Sequence, residues 1–166
     1  MAVTTPRDQV WESMVFADFR VRYFGELATQ YRRRQRRLNI TLAILSSSAF
    51  VVLALRLGVE LELPWLAEAA ALLVAVLGWL LALGRYSERS SLAASLVRRW
   101  SDLHTQYRAL WLSLEEMEDR EIRSRWQELE ESQGEIDQTA ASEFPHKRRL
   151  ANRVYDEMLD ALPKAA

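Results

Sequence analysis

Cysteine is absent from the 166 residues. Disulfides, thiolate zinc sites and cysteine nucleophiles are thereby excluded. Histidine is scarce: His104 and His146 are the only two. They leave little for metal chemistry, and neither belongs to a nucleophile–base pattern of the kind acyl transfer needs. No glycine-rich phosphate loop occurs. Five glycines and four prolines are too few turn residues for many short strands, so the chain is expected to form a few long helices. These absences argue against an enzyme and imply no cofactor and no metal.

What is present is unevenly distributed. Charged residues make up 27% of the chain, yet two stretches carry almost none. The first runs from Leu38 to Leu57 with Arg56 as its only charge. The second runs from Pro64 to Leu83 with Glu68 as its only charge. About 20 helical residues, at ~1.5 Å each, cross a hydrocarbon core of ~30 Å. Neither run has the repeating polar face of a surface helix, and the first begins too far along the chain to read as a secretory leader. The expectation is a transmembrane hairpin: helices over 38–57 and 64–84, joined by an extracytoplasmic turn over 58–63, with Pro64 suited to the first turn of the second.

Orientation follows from the flanks. Arg32, Arg33, Arg34, Arg36 and Arg37 precede the first run, and Arg85 and Arg89 follow the second. The turn holds Glu60 and Glu62 and no basic residue. Basic flanks on the outer ends place both termini in the cytoplasm. The arginine run is read as a topological stop and a contact for anionic lipid headgroups rather than a nucleic-acid patch.

Outside the spans, apolar residues recur at helical spacing. Val10, Met14, Ala17, Val21, Phe24, Ala28 and Tyr31 alternate by four and three, as do Leu96, Trp100, Leu103, Tyr107, Leu110, Leu114 and Met117. The second row then jumps by five to Ile122 and continues through Trp126, Leu129, Gln133 and Ile136. Such a step marks a change of winding or of partner. These rows predict a cytoplasmic helix over 7–37, a long one over 85–138, and a short amphipathic one over 146–162. The polar stretch from Gln133 to Ser142 reads as the break before it. The whole is one all-α unit over 1–166, a hairpin continued by cytoplasmic helices that pack as an antiparallel coiled-coil-like bundle. Trp11, Phe24, Trp100, Tyr107, Trp111 and Trp126 are its candidate bundle or oligomer contacts. The acidic run Glu115, Glu116, Glu118, Asp119 and Glu121 reads as a solvated helix face.

Polar residues inside the first run are the candidates for function. Asn39 and Ser46 share a helix face, as do Thr41 and Ser48, and Ser47 lies between them. Two readings stay open: close interhelical packing through small and hydroxyl side chains, or the lining of a conduit between subunits. Arg56 and Glu68 flank the turn. They would form either an ion pair within the hairpin or a charged ring at a pore mouth.

Directly after the second run stands Arg85-Tyr86-Ser87-Glu88-Arg89-Ser90. Together with the aromatic-rich helix from Trp11 to Tyr31, the two runs with a tiny turn, and Trp100, Leu103, Tyr107 and Leu110 downstream, this stretch resembles the SLATT family. Its members are bacterial two-helix membrane effectors found with nucleotide-signalling defence systems. The sequence departs from the family pattern in having Ala93 and Ala94 where a histidine is expected. The resemblance implies a homo-oligomeric pore-forming effector of the inner membrane, with a cytoplasmic sensor or nucleotide-signalling partner. It also implies that Ser87 caps the helix that follows. The competing expectation is a non-conducting membrane scaffold that signals through its cytoplasmic bundle.

Overall fold

The computed structural model describes residues 5–45, 47–60, 65, 69, 72–76, 78–79 and 85–161. Among these the chain is helical, with no strand. The helices are α1 (Pro6–Leu45), α2 (Ser48–Glu60), α3 (Tyr86–Ser113), α4 (Asp119–Glu143) and α5 (Arg148–Ala161). Where length led to the expectation of one unit, the chain divides into two compact ones, residues 1–28 with 91–166, and residues 29–90. The division follows composition, since the nearly uncharged runs fall in the second and most acidic residues in the first.

In the first unit the start of α1 is fixed by a capping box. The Thr5 hydroxyl accepts from the Asp8 amide at 3.2 Å, and Asp8 Oδ2 accepts from the Thr5 amide at 3.0 Å. Pro6 occupies the first helical position, which wants no amide donor. From there Val10, Ala17, Phe24 and Ala28 are buried. In the second row Leu96, Trp100, Leu103, Tyr107, Leu110 and Leu114 are also buried, and Val10 packs with Leu110 and Leu114. Trp11 lies 5.2 Å from Trp111, and Phe16 lies 5.8 Å from Trp100, so α1 and α3 run antiparallel.

The expected single helix over 85–138 is not formed. α3 stops at Ser113 and α4 starts at Asp119. At the end of α3 the Ser113 hydroxyl donates to the Leu110 carbonyl at 3.0 Å. The five-residue jump in the apolar row is thus a chain reversal. Ile122 comes back to pack with Val10, Leu110 and Leu114. The acidic run is correspondingly not a helix face. Glu115 and Glu116 sit in the turn, and Asp119 and Glu121 in the first turn of α4, where negative charge is favourable against the helix dipole.

The polar break expected between Gln133 and Ser142 is also helical: α4 continues through Gly134 to Glu143. Burial of Ile136 and Ala140 outweighs the ~1 kcal/mol propensity cost of the glycine. The helix ends at Phe144, whose extended backbone suits the following Pro145. Phe144 packs 6.1 Å from Phe24, and the Lys147 amide donates to the Tyr23 hydroxyl at 3.2 Å. These contacts turn the chain into α5, which buries Leu150, Ala151 and Val154.

In the second unit α1 continues past the arginine run, and Tyr31 is buried 6.3 Å from Tyr86. The span expected as one helix over 38–57 is interrupted. α1 ends at Leu45, and α2 begins at Ser48. At the interruption the Ser47 amide and hydroxyl both donate to the Ile44 carbonyl, at 3.2 and 2.8 Å. At 13 residues α2 rises only about 20 Å. Among the described residues no helix is long and apolar enough to cross a membrane. Most of the run expected over 64–84 lies outside those residues. α3 starts at Tyr86, preceded by Arg85 in the left-handed region with φ 42°, a conformation that costs a non-glycine residue about 1 kcal/mol. Ser87 therefore stands inside the first turn rather than at the capping position.

Core burial sets the first prediction. Leu96→Ala removes a fully buried side chain and costs about 2–5 kcal/mol. Leu112→Ala, on the exposed side of the same helix, changes stability by less than about 0.5 kcal/mol. Denaturant titration of the full chain, followed by tryptophan fluorescence, separates the two.

Candidate functional site

Three helices of the first unit present neighbouring rows to one groove. α1 contributes Gln9, Trp11, Glu12, Ser13, Val15, Phe16 and Phe19. α4 contributes Trp126, Glu130 and Gln133, and α5 contributes Tyr155 and Met158. The rows follow the i, i+3/i+4 spacing that brings side chains to one face. The volume is about 880 Å³, within the ~300–1,000 Å³ of small-molecule sites.

The wall of the groove holds a connected polar network. Trp126 Nε1 donates to Ser13 Oγ at 3.1 Å, and Ser13 Oγ donates to Glu130 Oε1 at 2.7 Å. The Tyr107 hydroxyl donates to the same carboxylate oxygen at 2.9 Å. Glu130 thus ties α1, α3 and α4 through one atom. Its other oxygen, Oε2, faces Gln133 Nε2 at 3.5 Å, a length at which little hydrogen-bond energy remains. Hydrogen bonds to a charged acceptor contribute roughly 1.5–3 kcal/mol each.

Charge in the network moves protons on its neighbours. Burial, then the hydrogen bond and charge of Glu130, push the Tyr107 phenol far above its ordinary range. One helical turn beyond Gln133, burial raises the Asp137 carboxyl. The neighbouring Arg20 guanidinium, 2.8 Å away, lowers it, and Glu130 raises it again. A raised carboxyl adds stability below its unfolded pKa and loses that contribution as pH rises through its folded one. Arg20 is held on its far side by rings, with its guanidinium carbon 4.8 Å from the Phe16 centroid and 5.7 Å from that of Trp100.

The residues singled out from the sequence are found in different settings. Phe24, Trp100 and Tyr107 are buried core residues. Trp11 and Trp126 line the groove, and Trp111 packs behind Trp11. In the second unit Arg32, Arg33, Arg34, Arg36, Arg37, Asn39, Thr41 and Arg56 are exposed on their helices, and Ser47 sits at the interruption. Ser46 and Glu68 lie outside the described residues, as does the side chain of Ser48. Ser13, Glu130, Arg20 and Asp137 were not anticipated. The signal for Glu130 is the row Trp126, Glu130, Gln133, Asp137, spaced by four, three and four beside the apolar row. Among the described residues, no cluster of three or more metal-ligating side chains forms.

No family model, curated protein or solved structure matches the chain.

The phenol yields a pH prediction. Tyr107 has a folded pKa above its unfolded one, so its contribution is intact below the ordinary tyrosine value of about 10 and is lost as pH rises beyond it. The full chain loses stability between about pH 9.5 and 11, and Tyr107→Phe flattens that decline. Urea midpoints measured at several alkaline pH values for both proteins provide the check.

Proposed function

We propose that the chain is a helical membrane protein whose apolar unit inserts as a hairpin, with both termini cytoplasmic, and permeabilises the bilayer as a homo-oligomer. The observation that carries this reading is the exposure of large apolar side chains in the second unit. Ile44 is 60% exposed, Val59 80%, Leu72 68% and Trp79 64%, and Ile40, Leu53, Leu55, Leu57, Trp65, Leu73 and Val76 are exposed with them. The first unit folds the opposite way, burying its rows as a core. Transfer of a Leu- or Ile-sized side chain from water to hydrocarbon is worth about 1.5–3 kcal/mol. A surface of this composition is therefore stable against acyl chains and unstable against water.

The exposed arginines from Arg32 to Arg37, at the end of the apolar run nearer the first unit in sequence, support a cytoplasmic N-terminus. Support for an oligomer comes from the interruption at Ser47. Non-helical backbone at membrane depth is tolerated only where protein or a water-filled path covers it. One hairpin supplies neither, whereas several copies arranged around Asn39, Thr41, Ser47 and their neighbours supply both. In this arrangement Arg56 and Glu68 stand at the extracytoplasmic mouth. The likeness to SLATT effectors extends the proposal to a bacterial inner-membrane effector released by a cytoplasmic sensor or nucleotide-signalling partner, with no catalysis of its own.

A second reading is a non-conducting scaffold, and the groove on the bundle favours it because a transducer needs a place for a ligand or partner. Flux separates the two. Purified full-length chain in anionic liposomes is expected to release a small entrapped dye, and Ser47→Leu is expected to reduce release several-fold while leaving membrane retention unchanged. Protein that resists alkaline extraction but releases no dye at any protein-to-lipid ratio rejects the pore and leaves the scaffold. Protein that washes off at alkaline pH rejects both.

A further inference from the structure

We propose that the groove between α1, α4 and α5 binds a small monovalent organic cation with an apolar body. This inference is independent of the membrane reading, since every residue it uses belongs to the first unit.

The charge of the lining selects the sign of the ligand. Glu12 and Glu130 face the groove, and no Lys, Arg or His is among the described residues that line it. A phosphate or carboxylate ligand would meet two carboxylates and no cation. The nearest guanidinium in the network, Arg20, is already paired with Asp137 at 2.8 Å and does not offset them.

Geometry makes the site more than an acidic patch. Glu130 is fixed before any ligand arrives, because Ser13 and Tyr107 both hold Oε1. Oε2 then keeps acceptor capacity, since among the described residues the contact directed to it is the long one from Gln133. A group positioned in advance loses little freedom on binding. The same lining carries aromatic rings: Trp11 and Phe16 on α1, Trp126 on α4 and Tyr155 on α5. Trp11 and Tyr155 remain about half exposed, so their faces are accessible. Aromatic faces attract cations, Trp most strongly, and organic cations gain most because they are cheaply dehydrated. A small hydrated metal ion is disfavoured by the same lining, which offers it few oxygens. The volume of about 880 Å³ admits a fused-ring or branched amine with room to spare.

N-Methylquinolinium and neutral quinoline share a shape and differ in charge, and quinoline-2-carboxylate supplies the anion. Calorimetric titration of the full chain in a non-ionic detergent is expected to give one saturable site per chain for the cation. Quinoline binds at least about tenfold more weakly, because it lacks the positive charge that the Glu130 carboxylate and the aromatic faces attract, and the carboxylate gives no saturable heat. Glu130→Gln weakens the cation about tenfold or more and narrows the gap to quinoline. Glu12→Gln, on an exposed side chain whose loss leaves the core untouched, narrows it in the same direction by a smaller factor. Trp11→Leu weakens the cation more than quinoline. Equal affinity for cation and neutral probe, saturable binding unchanged in both glutamate variants, or no saturable heat at millimolar probe overturns the proposal. So does a groove covered by a second copy, read as loss of cation binding in the oligomer and its return on dilution to the monomer.

Discussion

One carboxylate oxygen organises the helical bundle. Glu130 Oε1 accepts from Ser13 on α1 and Tyr107 on α3 while standing on α4, so three helices share a charge that none could satisfy alone. Glu130 is partly buried, and a carboxylate drawn even partly out of water needs donors to replace its hydration. This arrangement therefore specifies register as much as it adds stability: sliding any one helix by a turn leaves the charge short of a donor. The remaining features follow from that fixed register. Trp126 reaches Ser13, the Tyr107 phenol is pushed far above its ordinary range, and Asp137, about two turns further along α4, comes level with Arg20.

The two units of the chain meet the same requirement by different means. Each has apolar rows that must leave water. In the first, three helices and a short fourth supply one another's cover, and the side chains that remain outside are mostly charged. In the second, the apolar side chains that can be placed are largely outside, and charge is confined to the ends of the runs.

Apolar spacing was the readable part of the sequence. The rows through Val10 and Leu96 are the buried rows, because a four-three alternation has one geometric meaning on a helix. The reversal at 114–118 was marked only by a five-residue step, which a bulge and a turn produce alike. Gln133 to Ser142 was misread because composition there is polar. Two inward positions, Ile136 and Ala140, were enough to hold the helix. Glu130 was readable only as a member of the row Trp126, Glu130, Gln133, Asp137, not as the tie between three helices. It stands among Glu128, Glu131 and Glu135, and what distinguishes it is a partner 117 positions away, which local pattern does not encode.

The groove owes its existence to the reversal. A single helix over 85–138 would run about 80 Å and carry Trp126 and Glu130 far from the start of α1. Turning back at 114–118 makes α4 run alongside α3 and in the same direction as α1, which pairs Ser13 with Trp126 and Glu130, and Arg20 with Asp137. Parallel alignment of α1 and α4 places their polar rows side by side and leaves a channel that α5 only partly fills, with Tyr155 and Met158. An acid held by two donors in a groove with one exposed and one partly buried indole ring is an arrangement that packing alone does not require. A leucine at 130 would close the core with less electrostatic cost. The charge stands beside open space, and that pairing is the physical ground for treating the groove as a site rather than as a packing defect.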